Sequence, residues 1–434
     1  MAGGWKIFLS FFFVLNSLFC SLLSALCALL TIRVNLRYSW TEYSRIPFPL
    51  SLFPINMIEF YIKITALLLG FLLLEFWLLT RAVRAIPVRI LVNGTRGKTT
   101  TVKILHEIFR QAGWKVYSKT TGDEPLLHFP DGTQKRLHRH GPANIRENIP
   151  VLRAWGRKKA EIVIMESMAL IPETQQLLTQ RIFRPTHYIL TNILPDHLET
   201  MGTDRNEIFE TLRQSFPREG KMFFPASLKE KISTLKIPTD RLDFSAPVLI
   251  DNHFPNISPD VISQNHGLVQ SLTDSFQLNQ KLVRKIFRRE WKRISDSLLK
   301  SYPEKNFDFL NLFSVNDPES TLEMIRHFRK RGEKRVEEIF LFNARADRPY
   351  RSLQFIDLFK ENFPEKTIWV CGSGKFFFRN FYRKEISGNN IFLVENNQSL
   401  LSIFKNGFDT SVRIYGCGNH KGMQQFLEQL RVMT

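Results

Sequence analysis

The stretch PVRILVNGTRGKTTTVK, residues 87–103, constrains the fold more than any other part of the chain. Val88 to Val92 is an apolar run of the kind that forms a buried strand, and NGTRGK after it reads as a turn. Thr99 to Ala112 then carries Val102, Leu105, Ile108 and Phe109 at helical spacing, with Gly113 where a helix stop belongs. A strand, a glycine loop and a helix in that order make a phosphate cradle, because loop and first-turn N–H groups converge and the helix dipole favours an anion there. Lys98 adds a mobile cation, and the Thr99 hydroxyl can hold Mg²⁺. The loop is shorter than the common P-loop, with only Thr95 and Arg96 between Gly94 and Gly97. The blander reading is a surface Gly-Lys turn.

Beyond the cradle the pattern keeps alternating. Glu161 to Met165 reads as a strand with Glu166 at its end, Pro172 to Ile182 as a helix, and Thr186 to Thr191 as the next strand. Arg205 to Phe216 is an expected helix and Met222 to Phe224 a short strand. Alternation of this kind predicts a mostly parallel sheet with helices on both faces, and such sheets bind ligands beyond the carboxyl ends of their strands. Lys98, Glu166, Asn192, Asp196 and His197 all follow predicted strands, so they are expected on one edge. Mg²⁺ takes oxygen ligands beside phosphates, which makes Thr99 and Glu166 candidates; His197 could hold a second divalent ion or a bound carboxylate. Taken alone, Glu166 could equally be an ordinary exposed acid and His197 a structural histidine.

A second alternation begins near Tyr302. Val336 to Phe342, Thr367 to Val370, Ile391 to Val394 and Val412 to Tyr415 read as strands, with helices over Ser352 to Asn362, Ser399 to Asn406 and Met423 to Val432. The glycine turns at 372–375 and 416–422 do not match GxGxxG, which argues against a dinucleotide site. The segment from Thr239 to Asn265, rich in Pro, Asn and Asp, reads as loop.

The amino-terminal end is different in kind. Ile7 to Ile32 runs 26 residues without a charge, more than the ~20 needed to span a bilayer. Ile64 to Thr80 is a second apolar stretch, broken only by Glu75. The expectation is an anchor followed by a second span or interfacial helix; a cleaved signal peptide is the alternative for the first. Arg81, Arg84 and Arg89 argue that the chain beyond the second stretch is cytoplasmic, while Arg33, Arg37 and Arg45 oppose that topology.

Net charge is +19, and Lys281 to Arg293 concentrates seven basic residues against one Glu. Leu282, Ile286 and Ile294 share a helical face there, so the run is either a solvated helix exterior or an attractor for anionic lipid or a polyanionic product. No nucleic-acid motif accompanies the charge. Four cysteines, none in a CxxC pair, suggest neither a disulfide framework nor a zinc site.

The blocks NGTRGKTT, KTTGD (119–123), GPANIREN (141–148), MESMALIPE (165–173), DHLETMG (196–202), NDPEST (316–321), NARADRPYR (343–351) and IYGCGNHKG (414–422) occur in order. Together they resemble the Mur ligase superfamily and, within it, the ligase subunits of bacterial poly-γ-glutamate synthases. The resemblance covers nearly all of residues 87–434. It implies an α/β chain with N-terminal hydrophobic membrane helices (about 7–32 and 58–80, in an anchor region 1–86), a Mur-ligase-like central P-loop domain with a parallel sheet (87–301), and a Rossmann-like C-terminal α/β domain (302–434). It implies ATP and Mg²⁺, bound by Gly94, Thr95, Arg96, Gly97, Lys98, Thr99 and Thr100. Asn316 and Asp317 would reach the nucleotide from the second domain, and Arg345, Asp347 and Arg348 would close over it. Thr99, Glu166 and His197 would form the metal site; Lys119, Thr120, Thr121, Gly122 and Asn192 would line the substrate cleft. Lys98, Glu166, His197 and Arg348 carry the catalytic expectation.

The implied reaction joins glutamate units by ATP-dependent amide ligation. The implied partners are glutamate, the growing polymer, the membrane and other membrane subunits, without nucleic acid. The implied location is the inner membrane with catalytic parts in the cytoplasm. Two features depart from the Mur pattern. Hydrophobic segments stand where a UDP-sugar-binding domain is usual, and FETLRQSF (209–216) offers Arg213 but no lysine to carry a carbamate. Rival readings are a folylpolyglutamate-type or peptidoglycan-modifying ligase, and a membrane NTP-driven transport or regulatory subunit without ligase activity.

Overall fold

The computed structural model describes residues 55–121, 125–139, 141, 143–195, 198–202, 204–248, 259–313, 315, 317–329, 336–385 and 390–433. The expected span at 7–32 lies outside them, as do Gly122, Asp196, His197 and Asn316. Two compact units are formed, Met1–Leu74 and Glu75–Thr434.

In the first unit the described residues are helical, part of the helix Ile55–Arg84, and Phe60, Ile62, Leu67, Leu72 and Leu73 stand exposed. The stretch Phe60–Arg84 is long and apolar enough to cross a membrane by length and composition. In the second unit the helix end is packed: Leu79, Ala82 and Val83 are buried, and Arg153 meets Glu75 at 3.3 Å.

The second unit is built on two sheets. The first contains β1 (Val88–Asn93), β2 (Val116–Lys119), β3 (Leu126–His128), β4 (Gln134–Arg136), β5 (Ile162–Glu166), β6 (His187–Leu190), β7 (Lys221–Pro225) and β8 (Leu242–Ser245), in the order β4-β3-β2-β5-β1-β6-β7-β8. β2, β5, β1, β6, β7 and β8 run parallel, and β3 and β4 add an antiparallel hairpin at one edge. β1 lies at the centre. Ile90 and Val92 face one core cluster and Leu91 the other, as expected for a strand covered on both faces.

The second sheet contains β9 (Leu299–Tyr302), β10 (Phe307–Asn311), β11 (Glu337–Asn343), β12 (Thr367–Cys371), β13 (Ile391–Leu393) and β14 (Val412–Gly418), in the order β13-β12-β11-β14-β10-β9. All are parallel except β9. Phenylalanine fills one of its faces: Phe340 and Phe342 pack against Phe355, Phe359 and Phe378, with ring centroids 4.6–6.0 Å apart.

Three of the expected helix and loop segments differ in the structure. The helix expected over Pro172 to Ile182 is α-helical only over Pro172–Leu177, then widens into a π-turn over Leu178–Phe183. The helix expected to Phe216 ends at Arg213. The segment read as loop from Thr239 to Asn265 contains β8 and the start of a helix, Pro259–Ser275, whose Ile262, Leu268, Val269 and Leu272 are buried. Its buried Asn265 and His266 break the apolar pattern by which a helix is recognised. The basic run at 281–293 lies on the helix Gln280–Leu298, which buries Val283, Ile286, Phe287 and Trp291 and leaves Arg284, Lys285 and Arg288 exposed.

Candidate functional site

The carboxyl ends of β5, β1 and β6 are adjacent, so their following loops meet. The centre is Asn93, the last residue of β1, only 1% exposed. Its amide N–H₂ donates to Gln175 Oε1 at 2.9 Å and Ser215 Oγ at 2.8 Å, and its Oδ1 accepts from the Gly94 N–H at 2.8 Å. All the groups it joins are then satisfied, which a buried amide requires. Gly94 has φ +119°, and a side chain there would collide with the Thr191 hydroxyl.

Asn192 ties the loop down from the β6 side. Its Oδ1 accepts from the Thr95 hydroxyl at 2.7 Å and the Arg96 N–H at 3.1 Å, while Thr191 Oγ1 donates to the Arg96 carbonyl at 2.5 Å. The helix Lys98–Gln111 starts from Gly97 in a left-handed conformation with no side-chain cap. A glycine cap brings no side-chain acceptor to the first turn, and such a helix start favours an anion. The Lys98 ammonium folds back on the loop, donating to the carbonyls of Gly94 at 2.6 Å and Thr95 at 3.1 Å.

Glu166 ends β5 in register with Val92. The Thr99 hydroxyl lies 3.0 Å from both of its oxygens, and the Thr121 N–H donates to Oε2 at 2.8 Å. The hydroxyl donates to the carboxylate, so two oxygen ligands of the kind a hard divalent cation takes stand side by side. Among the described residues no group of three His, Cys, Asp or Glu gathers as a metal centre.

Lys119 differs from the expectation of a cleft-lining cation. It is 0% exposed, and its ammonium is held by Glu147 Oε1 and Asn148 Oδ1, both at 2.7 Å. Burial pulls this ammonium below its usual range, against the pull of Glu147. Glu147 also takes the Arg139 guanidinium at 2.8 and 2.9 Å. Burial would raise the Glu147 carboxyl, but Arg139 and Lys119 outweigh it and hold it below the carboxylate range. Lys119 thus ties the segment 139–148 to β2 beside Thr120 and Thr121, which are also buried.

The second sheet offers its own edge. Asn343 ends β11, 2% exposed, and donates to the carbonyls of Asn419 at 2.5 Å and Lys421 at 2.9 Å. The next residues bend away: Arg345 grips the exposed Asp347 at 2.8 and 2.5 Å, and this pairing keeps the Asp347 carboxyl below its ordinary value. Arg348, half-buried, precedes the helix Pro349–Asn362. From the start of the helix Pro318–Arg329, Asp317 pairs with Arg96 at 3.0 Å, and Arg96 also donates to the Val315 carbonyl. The two sheet edges are therefore linked through the phosphate loop itself.

Sequence reasoning missed Asn93, Gln175, Ser215 and Asn265. Asn265 Oδ1 accepts from Thr101 Oγ1 at 3.2 Å and stands 3.3 Å from where a Gly97 side chain would begin. A polar residue closing an apolar strand just before a glycine was the available signal for Asn93. For Gln175, Ser215 and Asn265, scattered in sequence, no local signal exists.

Residues 92–221 match the Mur ligase middle domain, and residues 299–433 match the poly-gamma-glutamate synthase CapB C-terminal domain. The chain is 29% identical to the PGA synthase CapB of Bacillus subtilis over 284 residues, 62% of this chain and 71% of that one. It is 25% identical to the capsule biosynthesis protein CapB of Bacillus anthracis over 298 residues, 63% of this chain and 61% of that one. In fold it resembles the bifunctional folylpolyglutamate synthase/dihydrofolate synthase of Yersinia pestis, crystallised with AMPPNP and a Mn ion, at a TM-score of 0.57 and 12% identity, covering 82% of this chain and 92% of that one. The chain is thus Mur-ligase-like, with the α/β fold shared by Mur and folylpolyglutamate ligases, and resembles the CapB ligase subunit of bacterial poly-γ-glutamate synthases.

Proposed function

We propose that this chain is an ATP-dependent amide ligase that adds glutamate to a poly-γ-glutamate chain. The observation that carries the reading is the cradle: an uncapped helix N-terminus, the Lys98 ammonium, and a Thr99–Glu166 oxygen pair at 3.0 Å, all on one sheet edge. In the reaction a γ-carboxylate oxygen attacks the γ-phosphorus of ATP and ADP leaves. The amine of a glutamate unit then attacks the acyl carbon and phosphate departs with the bonding pair. The N–H groups from Gly97 to Thr100 bind the phosphates, while those of Gly94, Thr95 and Arg96 hold the loop's shape through Asn93 and Asn192, and Lys98 leaves its carbonyl partners to follow charge on the transferring group.

Thr99, Glu166 and His197 would hold a divalent cation, taken as Mg²⁺. When bound, it neutralises phosphate charge. Asn192 fixes the loop. The segment from Lys119 to Gly122 borders the substrate, with Lys119 acting as its buried tie. Asn316 and Asp317 approach the nucleotide from the second sheet, and Arg345, Asp347 and Arg348 close over it. Closure excludes water that would hydrolyse the acyl phosphate.

The reading extends to organisation: an anchor region to residue 86, a central ligase domain over 87–301 and a Rossmann-like domain over 302–434. It also places the chain at the inner membrane with the catalytic part in the cytoplasm, where ATP is, beside other membrane subunits of a synthase; the apolar helix supports the membrane attachment. Incubating the membrane fraction with ATP, Mg²⁺ and labelled glutamate tests it. The expected result is ATP hydrolysis that depends on glutamate and yields a γ-linked polymer. Hydrolysis indifferent to glutamate would mark an NTPase without ligase activity instead.

A further inference from the structure

A cleft of about 370 Å³ opens on the second half of the Lys98–Gln111 helix, away from the phosphate loop. From Lys98 to Glu107 the helix advances roughly 14 Å, at ~1.5 Å per residue. The cleft's size is that of a small-molecule site. Its walls come from three elements: this helix, the β3–β4 hairpin and the helix Gln280–Leu298.

Its charge is unbalanced. Lys103, Arg110, Arg289 and Arg293 line it against only two acids, Glu107 and Glu290. Arg110 and Arg289 both grip Glu107, at 2.8 and 2.7 Å, while Arg293 meets Glu290 at 3.1 Å. Asp131, at the hairpin turn, adds a weaker negative influence on Arg110. Cations remain in excess, and Lys103 and Arg293 are exposed to incoming solute.

Two histidines complete the lining, and they are the unusual part. His106 is 5% and His128 3% exposed, with ring centroids 5.4 Å apart. Neither His106 Nδ1 nor His128 Nε2 has a hydrogen-bond partner. A buried polar atom left unsatisfied is costly, and the cost is recovered when a ligand supplies the partner. Burial holds both imidazoles neutral, at about 4; the one His106 N–H is turned to the Phe129 backbone, which leaves His106 Nδ1 an acceptor for a ligand hydroxyl, while His128 can donate from Nε2.

We propose that this cleft is a second ligand site, binding a small dianion, a phosphate or a short dicarboxylate, between the Lys103, Arg110, Arg289 and Arg293 cations and the His106–His128 pair. The site is separate from the nucleotide cradle and does not rest on the ligase reading.

The test uses the full chain in detergent, carrying Lys98→Ala to weaken phosphate binding in the cradle. It is titrated calorimetrically with inorganic phosphate and, separately, with glutarate, while backbone hydrogen exchange is followed over residues 125–136. We expect one of the two to bind and to slow exchange in the hairpin. Adding Lys103→Gln with Arg293→Gln, both exposed and safe for folding, should weaken that binding about ten-fold or more. Phosphate alone binding assigns a phosphate site, and glutarate alone a carboxylate site. Absence of hairpin protection with both probes, or equal affinity with and without the two glutamine substitutions, overturns the proposal.

Discussion

Two strands at the hearts of the two sheets end alike and then part. β1 closes on Asn93 and β11 on Asn343, each buried, each using its side-chain amide to knit together the loops beyond. Each is also pressed by a glycine that admits no side chain: Gly94 against Thr191, and Gly372 against Asn343 itself and Ala344. After Asn93 the chain stays fastened, with Asn192, Thr191, Thr95 and Lys98 holding the loop in one shape. After Asn343 the loop is held mostly through its backbone: the Ala344 and Ala346 N–H groups bond the Cys371 carbonyl at 2.9 Å and Ser373 Oγ at 3.1 Å. Its cations are tied less, since Arg345 pairs with a largely exposed Asp347 and Arg348 flanks a helix start. One edge is a preorganised cradle; the other carries its cations on side chains with fewer ties. A phosphoryl-transfer site needs both, because a rigid binder positions the anion and a mobile cation can arrive with the transition state.

The largest expected effect falls on the rigid edge. Lys98→Ala should lower turnover by about 10³-fold, since the ammonium stabilises charge on the transferring group. Stability should change little, because the Lys98 side chain serves loop carbonyls rather than the core. Kinetics with parallel thermal denaturation decide it, and wild-type turnover in the variant would remove Lys98 from the chemistry. Glu166→Gln comes next, with a loss of about 10² and a raised Mg²⁺ requirement, because glutamine keeps bonds to Thr99 and Thr121 but not the charge a cation needs. An unchanged Mg²⁺ dependence would detach Glu166 from metal binding.

The second edge should behave differently. Arg348→Ala is expected to cut turnover about 10²-fold while nucleotide affinity falls only a few-fold, the signature of a contact made mainly on closure. Arg345→Ala has a second consequence that Arg348→Ala lacks, because it also frees Asp347. As the folded Asp347 carboxyl lies below its ordinary value, its pairing stabilises the fold above about pH 4, and that stability is lost as pH falls through the folded value. The pair is exposed on the Asp347 side, so its worth is at most about 1 kcal/mol. Near-normal turnover in both arginine variants would mean that this loop does not serve catalysis, and the two edges would then differ only in structure.

How much of this was readable depended on whether a signal was local. β1, the Lys98–Gln111 helix and β5 with Glu166 at its end were legible, because apolar runs and glycine turns stand side by side in sequence. The β3–β4 hairpin was not: β3 has three residues, and β4, Gln134–Arg136, is wholly exposed and polar. Nor was the burial of Lys119 at the end of β2, because the partners that allow it, Glu147 and Asn148, lie 28 and 29 residues on. The cradle's positions were legible, but the asparagine and glutamine clamps that fix its shape are long-range and have no pattern.

The smallest expected effect compares the two asparagines directly. Asn93→Leu removes a side chain that satisfies the Gly94 N–H, Gln175 Oε1 and Ser215 Oγ, and Gln175 and Ser215 are themselves 0% exposed. Water cannot replace those partners without opening the core, so the cost should be about 2–3 kcal/mol. Asn343→Leu strands the carbonyls of Asn419 and Lys421. Lys421 lies in an exposed turn, where solvent can take over part of the bonding, and the cost should be nearer ~1 kcal/mol. Leucine shares asparagine's branched shape and adds no charge, and the same replacement is made at both sites, so the difference between them reports the lost hydrogen bonds. Urea unfolding of the two variants, read at equal slope, gives that difference directly. A larger loss for Asn343→Leu than for Asn93→Leu would reverse the assignment of the rigid and yielding edges.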